Sequence, residues 1–180
     1  MLKRKIPNNE LNRKSPEEYF QTRKIPLVIV LDNVRSHNNI GSIFRTADAF
    51  LVESIYLCGI TACPPHRDIH KTALGATETV KWHYFDSTMR AVEKLKSSGY
   101  TIAAIEQVSN AVSLEKISIT PDTRLAIVFG HEVKGVDQDV VNICDFCIEI
   151  PQFGTKHSLN ISVSAGIVIW SLFWYFTKKS

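Results

Sequence analysis

The run Leu27–Leu31, LVIVL, constrains the fold of this chain more than any other stretch. It is continuously apolar and rich in β-branched residues, which is typical of a central strand buried on both faces of a sheet. Ser54–Cys58, Tyr100–Ile105 and Leu125–Phe129 are predicted as further strands, and helical patterns lie between them. Strands that alternate with helices predict an α/β fold, in which helices flank a mainly parallel sheet.

Two helices have clear signals in the sequence. Ser15 and Glu18 form a capping box, so a short helix should run to about Arg23. Thr88–Ser97 has the period of an amphipathic helix. Residues 59–82 are predicted to be irregular, apart from one helical turn.

The composition is that of one globular domain. The chain has 180 residues, of which 44% are hydrophobic and 22% are charged. The apolar segment 161–176 contains three serines and is shorter than the roughly 20 residues that span a membrane. The N-terminus passes from Met1 almost at once into charged residues. We therefore expect no signal peptide, no membrane contact and a cytoplasmic location.

Four cysteines lie in or beside apolar, strand-like segments: Cys58, Cys63, Cys144 and Cys147. Without a secretory signal, we expect free thiols in a reducing compartment. The last two form a CxxC, but zinc sites usually pair their ligands more regularly than these four do. His66 and His70 follow two prolines and are expected to be surface residues. The sequence therefore predicts no metal.

The N-terminal segment is basic, although the whole chain has a net charge of only +3. Residues 1–24 carry three acidic side chains against seven basic ones, namely Lys3, Arg4, Lys5, Arg13, Lys14, Arg23 and Lys24. Such an arm suits contact with nucleic-acid phosphates, and a solvated tail is the alternative interpretation. We therefore divide the chain into a basic extension with a short helix, residues 1–24, and a main domain, residues 25–180.

The first stretch with chemical character follows the strand Leu27–Leu31. Apolar residues there fall on one helix face: Ile40, Ile43, Phe44, Ala47 and Leu51. Asn38 or Asn39 can cap this helix. Gly41 is costly near the start of a helix, and we interpret it as leaving room for the guanidinium of Arg45. An asparagine, a glycine and an arginine grouped after a buried strand indicate a site.

The second stretch follows the strand Leu125–Phe129. Gly130 ends this strand, Glu132 and Gly135 come next, and a helix is predicted from about residue 137 to residue 143. A glycine after a strand lets a ligand approach the backbone. The spacing is neither that of a P-loop nor that of a dinucleotide-binding loop. A Rossmann-like nucleotide enzyme is therefore the weaker hypothesis.

The third stretch is Ile148–Trp170, IEIPQFGTKHSLNISVSAGIVIW. Its strand ends at Pro151, which has no N–H to donate to a sheet. Ser158, Asn160 and Ser162 then precede an apolar helix, where side chains that bond the backbone are common. All three stretches begin at the carboxyl ends of strands, where parallel sheets bind their ligands. We therefore expect them to form one site.

Together these stretches resemble the SpoU (TrmH) family of RNA 2′-O-ribose methyltransferases, in the SPOUT superfamily. Three ordered motifs carry the resemblance: Asn-x-Gly-x-x-x-Arg-Thr-Ala at residues 39–47, Gly-x-Glu-x-x-Gly at residues 130–135, and Ile-Pro-x-x-Gly with Ser-Leu-Asn-x-Ser at residues 150–162. The match covers residues 26–176, most of the chain. Ser36-His37 departs from the Asp-Pro that is frequent in the family, and we expect a changed turn there.

The resemblance implies several properties that composition does not indicate. A deep C-terminal trefoil knot is expected in the sheet, and S-adenosylmethionine is expected to bind in this knot, largely through backbone groups. By position, the cofactor-binding residues are Ile105, Gly130, Ile150, Ser158 and Leu159. A homodimer is also implied. The segment 161–176 is apolar nearly all round, which fits a helix buried by the core or by a partner.

The resemblance also implies five catalytic residues, Arg45, Asn39, Glu132, Ser158 and Asn160. Because a guanidinium stays protonated, Arg45 is expected to hold the RNA and to stabilise the developing alkoxide. The implied substrate is structured RNA. A tRNA is favoured, since no dedicated rRNA-binding domain precedes the catalytic one, and rRNA stays open. The alternative is a catalytically inactive RNA-binding or ribosome-associated protein on the same fold.

Overall fold

A seven-stranded sheet forms the centre of the computed structural model, which describes residues 3–120 and 122–177. Its strands are β1 (Ile25–Asp32), β2 (Val52–Cys58), β3 (Lys81–Phe85), β4 (Thr101–Ile105), β5 (Val112–Ser113), β6 (Leu125–Phe129) and β7 (Phe146–Glu149). They are ordered β3-β2-β1-β6-β4-β7-β5, and the neighbouring strands in these described ranges are all parallel. The predicted parallel α/β architecture is therefore confirmed.

Helices flank this sheet. They are α1 (Pro16–Gln21), α2 (His37–Ala49), α3 (Arg67–Ala73), α4 (Ala76–Thr79), α5 (Thr88–Ser97), α6 (Gln138–Ile143) and α7 (Ile161–Thr177). The predicted capping box of α1 is present, because the Glu18 N–H donates to the Ser15 hydroxyl at 3.2 Å and the Ser15 N–H donates to the Glu18 carboxylate at 2.7 Å. Across residues 3–120 and 122–177, none of the helices combines the length and the apolar character needed to cross a bilayer.

The two faces of β1 anchor two hydrophobic clusters. Leu27, Ile29 and Leu31 belong to the larger cluster, which also holds the buried sides of α2 and α7. Val28 and Val30 belong to the smaller cluster, which holds the inner side of α5. Each such side chain stabilises the fold by about 1.5–3 kcal/mol on leaving water. Burial on both faces explains why the sequence of β1 is continuously apolar.

The segment 59–82 is more regular than its sequence predicts. It contains α3 and α4, and β3 begins at Lys81. β3 is an edge strand with the sequence KWHYF, so it lacks the apolar run of a buried strand. α3 begins after Pro64-Pro65, where the His66 ring accepts a hydrogen bond from the Asp68 N–H at 3.2 Å. The prediction of an irregular segment was wrong because an exposed edge strand and a histidine cap give weak sequence signals.

Gly41 is required for helix packing, and not for space around Arg45. A Cβ on Gly41 would lie 2.0 Å from the Thr72 hydroxyl oxygen and 2.3 Å from the Ile69 carbonyl oxygen. The backbone of α3 therefore packs directly on α2. The interpretation of Gly41 as clearance for the guanidinium was wrong.

The start of α2 also differs from the prediction. The helix begins at His37 and is capped by Ser36, whose hydroxyl accepts a hydrogen bond from the Asn39 N–H at 3.3 Å. Ser36 has an extended backbone, with φ −77° and ψ 107°, as is usual for a capping residue. Asn39 lies inside the helix, so its side chain is free for other contacts.

The C-terminal strands have an order that is compatible with the implied knot. β4 lies between β6 and β7, although β6 comes between β4 and β7 in the chain. β7 pairs with β5, and α7 packs against residues 114–116, so both lie beside the segment that joins β4 to β6. The knot itself stays a prediction.

Candidate active site

The carboxyl ends of β4, β6 and β7 meet at one edge of the sheet, because these strands are parallel neighbours. A cleft of about 440 Å³ opens there, lined by the loops after the three strands and by the start of α7. This volume lies within the roughly 300–1,000 Å³ of small-molecule sites. The cleft is lined by all five residues that the resemblance assigns to the cofactor: Ile105, Gly130, Ile150, Ser158 and Leu159.

Two glycines shape the loop after β6. The His131 N–H donates to the Gly135 carbonyl at 2.9 Å, and the Gly135 N–H donates to the His131 carbonyl at 2.8 Å. Gly135 has φ +72°, in the left-handed region. A Cβ on Gly130 would lie 2.0 Å from the Gly135 carbonyl carbon. A side chain at Gly130 would force this loop open, and one at Gly135 would be strained and would displace the Glu106 carboxylate, so the glycines set one wall of the cleft.

Glu106 and Gln107 brace the cleft, although the sequence does not mark them as functional. The Glu106 carboxylate accepts hydrogen bonds from the Gln107 N–H and from the Val136 N–H, each at 3.0 Å. The Gln107 side-chain amide donates to the His157 carbonyl at 2.8 Å. The loops after β4, β6 and β7 are therefore tied to one another. The sequence signal that could have identified Glu106 is its position directly after a predicted strand.

Glu132 ties the glycine loop to the start of α2. Its carboxylate accepts hydrogen bonds from the Arg35 N–H at 3.1 Å, the Ser36 N–H at 2.9 Å and the Asn39 side-chain amide at 3.3 Å. Burial by itself would raise the pKa of Glu132, but the hydrogen bonds to its carboxylate, led by those from the Arg35 and Ser36 N–H groups, together outweigh burial and hold the pKa below its usual value. Glu132 is thus an ionised anchor, which suits positioning better than proton transfer.

Asn160 connects the first motif to the third. Its amide donates to the Asn39 side-chain oxygen at 3.2 Å. Its own oxygen accepts hydrogen bonds from the Ser162 N–H at 2.9 Å and the Ser162 hydroxyl at 2.6 Å, at the start of α7. One chain of hydrogen bonds thus runs from Glu132 through Asn39 and Asn160 to Ser162. The expected convergence of the three stretches is confirmed.

Arg45 and Ser158 stand apart from this chain of hydrogen bonds. Ser158 is exposed and lines the cleft. Arg45 is exposed on α2, six residues after Asn39, so it projects about 120° around the helix from that residue. Among the described residues, Arg45 lies outside the set that lines the cleft. Asn39, Glu132 and Asn160 are therefore brought together, and Glu132 and Asn160 line the cleft, while Arg45 lies on the exposed surface of α2.

An apolar row, which we call the α7 stripe, lies on the solvent side of α7. It consists of Val163, Ile167, Trp170 and Trp174, which are 50%, 38%, 50% and 44% exposed. Steps of four, three and four residues place them on one helix face, and the opposite face packs in the core. The Trp170 ring packs edge-on against Phe50, with 5.5 Å between centroids. Exposed apolar side chains in a row on one helix face are typical of surfaces that bind a partner.

The basic N-terminal segment is partly anchored. Its first five basic side chains are exposed: Lys3, Arg4, Lys5, Arg13 and Lys14. Arg4 pairs with Glu10 at 2.6 Å. Tyr19 of α1 is only 4% exposed, and the Lys24 ammonium lies 3.9 Å from the centre of its ring. α1 therefore packs with the main domain, and the exposed basic part is residues 3–14.

Similarity to known proteins decides the family. The family model described as SpoU rRNA Methylase matches residues 26–170. The chain belongs to the SpoU rRNA Methylase family. A relative from Staphylococcus aureus, named as a TrmH family tRNA/rRNA methyltransferase, is 33% identical over 146 residues. That alignment covers 81% of this chain but 58% of the relative, so the chain spans little more than half the length of this relative.

Solved structures of SpoU-type proteins have the same fold. The A. aeolicus TrmH/SpoU tRNA modifying enzyme is 26% identical with a TM-score of 0.74, over 84% of this chain and 75% of that chain. An rRNA methyltransferase from Sinorhizobium meliloti with bound AdoMet, which is S-adenosylmethionine, is 22% identical with a TM-score of 0.78. That match covers 87% of this chain and 59% of the other. The predicted SpoU fold class is therefore confirmed.

Proposed function

We propose that this chain transfers a methyl group from S-adenosylmethionine to the 2′-oxygen of a ribose in RNA. One observation carries the proposal: a chain of hydrogen bonds links residues of all three SpoU motifs beside a cleft of about 440 Å³. The AdoMet in the S. meliloti structure supports the choice of cofactor. The name of the S. aureus relative supports RNA as the substrate class.

The residues around the cleft fit S-adenosylmethionine. Ile105, Ile150 and Leu159 provide apolar surface, which suits an adenine ring. Gly130 brings its backbone to the cleft without a side chain in the way, and Ser158 adds a hydroxyl at the rim. The bound cofactor supplies a methyl group on a positively charged sulfonium. The chain would therefore hold it with apolar side chains and backbone groups.

Arg45 is the group that we assign to the RNA. A guanidinium stays protonated and offers a fixed fork of donors, so it can bind a phosphate and stabilise charge on the ribose oxygen. Glu132 already accepts three hydrogen bonds, so it fixes Asn39 and does not take the ribose proton. That proton would leave to a phosphate oxygen or to water. Asn160 fixes Asn39 from the other side, and Ser158 contacts the substrate at the mouth of the cleft.

A homodimer that buries the α7 stripe is part of the same proposal. A second copy of this chain offers an identical apolar row, so a two-fold contact removes both rows from water. Arg45 lies on α2, which packs against α7. The second copy would therefore border the surface on which the RNA has to bind.

The RNA that we favour is a tRNA. The A. aeolicus neighbour is described as a tRNA modifying enzyme, whereas the S. meliloti neighbour is described as an rRNA methyltransferase. Residues 3–14 would add phosphate contacts as a basic arm in front of the main domain. We place this activity in the cytoplasm. The rival is a catalytically inactive RNA-binding protein on the same fold, which would bind RNA without turnover.

Methyl incorporation from labelled S-adenosylmethionine tests the function. The purified chain is incubated separately with total tRNA and with ribosomal RNA, and the digested nucleosides are analysed by mass spectrometry. We expect a 2′-O-methylated nucleoside from the tRNA sample. RNA binding without methyl transfer in either sample would favour the inactive rival. Comparison of methylation maps with and without the gene would then identify the nucleotide.

A further inference from the structure

Two imidazoles from different helices lie against each other outside the cleft. His37 is the first residue of α2, and His66 immediately precedes α3. Their ring centroids are 3.8 Å apart, and the ring planes are tilted by 34°. Asp68, in the first turn of α3, brings a carboxylate to the same place. The ligand atoms of the three side chains all lie within 4.8 Å of one another.

We propose that His37, His66 and Asp68 bind a divalent transition-metal ion of the kind that imidazole favours, such as Zn²⁺. Zinc binds imidazole nitrogen and carboxylate oxygen at about 2.0–2.2 Å, usually in tetrahedral geometry. In a tetrahedral site the ligand atoms are about 3.3 Å apart. The three ligand atoms here lie within 4.8 Å of one another, so each pair has to approach by no more than about 1.5 Å. Asp68 is exposed and can make this adjustment by rotation. A fourth position is left for water.

The helices that carry these ligands are held firmly together. Gly41 lets the two helices approach so closely that a Cβ would lie 2.3 Å from the Ile69 carbonyl oxygen. The Thr72 hydroxyl donates to the Asn38 carbonyl at 3.2 Å, which joins α3 to the first turn of α2. Ligands on elements that are already fixed lose little freedom when they bind a metal. The site therefore requires side-chain movement and no shift of the backbone.

Metal binding competes with the cap of α3. The His66 Nδ1 accepts the Asp68 N–H at 3.2 Å, so the proton of this neutral ring is on Nε2. A metal on Nδ1 replaces that hydrogen bond. A metal on Nε2 moves the proton to Nδ1, which also ends the cap. In both cases the start of α3 exchanges one hydrogen bond for a metal–ligand bond.

A metal in this position would hold the first motif in place. His37 is two residues before Asn39, whose side chain bonds to Glu132 and Asn160. An ion that joins His37 to α3 therefore restrains the start of α2 beside the cleft. Its role is to position α2, and it takes no part in methyl transfer.

Titration of the untagged, chelator-treated protein with Zn²⁺ tests the proposal. Calorimetry should give one equivalent per chain, and Co²⁺ should give the visible absorption of a tetrahedral site. His37→Ala and Asp68→Asn should each weaken binding by at least about tenfold, since even partners behind the ligands contribute that much. His66→Asn should do the same while it keeps a capping side chain at the start of α3.

His70→Ala is the matched control. His70 lies on α3, is exposed, and does not belong to the cluster. This variant should bind Zn²⁺ like the wild type, and the metal should raise the Tm of both but not of His37→Ala. The proposal is overturned if the wild type binds no stoichiometric metal. It is equally overturned if His37→Ala and His66→Asn retain full affinity, because the metal would then lie at other residues.

Discussion

The cofactor side and the RNA side of the proposed site are built differently. On the cofactor side, Glu106, Gln107 and Glu132 bind the surrounding loops to one another within one chain. On the RNA side, Arg45 and the α7 stripe are exposed to solvent. Under the proposed function, one chain would complete the cofactor half, whereas RNA and a second copy would complete the other half.

The physical reason for this difference is the nature of the two ligands. A small cofactor is held by backbone groups and apolar side chains, which have to be fixed before it arrives. RNA brings its own charge, and an exposed guanidinium is paired when a phosphate approaches. Variants on the two sides should therefore separate cofactor binding from methyl transfer.

Arg45→Ala should have the largest effect on the reaction. We expect single-turnover methyl transfer to fall by about 10²–10³-fold, because the variant lacks a donor to the developing charge. Cofactor affinity and the stability of the fold should stay at wild-type values, since Arg45 is exposed and is not among the described residues that line the cleft. Arg45→Lys should recover little, because an ammonium lacks the guanidinium fork.

The control for this variant is Arg90→Ala. Arg90 is an exposed arginine on α5 that pairs with Asp86 at 2.6 Å. Its removal should leave methyl transfer unchanged. If Arg45→Ala keeps near wild-type turnover, Arg45 is not catalytic. If the variant loses both cofactor binding and the fold, the role of Arg45 is structural.

Trp170→Glu should break the proposed dimer. The substitution puts a charge in the middle of the α7 stripe and removes a large aromatic side chain, so the dimer Kd should rise at least about 30-fold. Sedimentation velocity at micromolar protein measures the change. Ile60→Glu, at a position that is 63% exposed between β2 and α3, is the control and should stay dimeric. A wild-type protein that sediments as a monomer would contradict the dimer.

Gly130→Ala should weaken cofactor binding. The added methyl would meet the Gly135 backbone at about 2.0 Å, so the loop has to open. We expect S-adenosylmethionine affinity to fall by at least about tenfold in calorimetry, since one misplaced hydrogen-bonding group has such an effect. Gly154→Ala is the control, because a Cβ at that position would lie more than 4 Å from the other atoms of the described residues. Equal affinity in both variants would show that the glycine loop does not shape the site.

Removal of residues 1–14 should have the smallest effect. This deletion leaves the buried Tyr19 in place and removes five exposed basic side chains. RNA binding should weaken a few-fold, and the slope of log affinity against log salt should fall by about 0.9 for each duplex phosphate that the shortened protein no longer neutralises. Cofactor affinity should not change. An unchanged salt slope would identify the segment as a solvated tail.

Much of the sheet was predictable from sequence, because buried strands have a strong pattern. The apolar runs at β1, β4 and β6 predict the sheet, and the motif residues that follow β1, β6 and β7 predict the edge that holds the cleft. β3 was missed because an exposed edge strand can have polar and aromatic residues on both faces. α3 was missed because its cap is a histidine ring.

The details of the site depend on contacts that are distant in sequence. Gly41 leaves room for the close packing of α3, which lies about thirty residues later in the chain. Glu106 supports Val136, and Gln107 supports His157, through hydrogen bonds between separate loops. Local patterns do not contain such partners, so sequence alone identifies the motifs but not the residues that hold them.

The most direct test of the difference between the two sides is a cofactor titration of monomeric Trp170→Glu, followed by a methyl-transfer assay on the same sample. We predict that S-adenosylmethionine binds with wild-type affinity, because the cleft is built within one chain, and that methyl transfer to RNA falls, although by less than in Arg45→Ala. Loss of cofactor binding together with the dimer would contradict it. Wild-type methyl transfer by the monomer would contradict it as well.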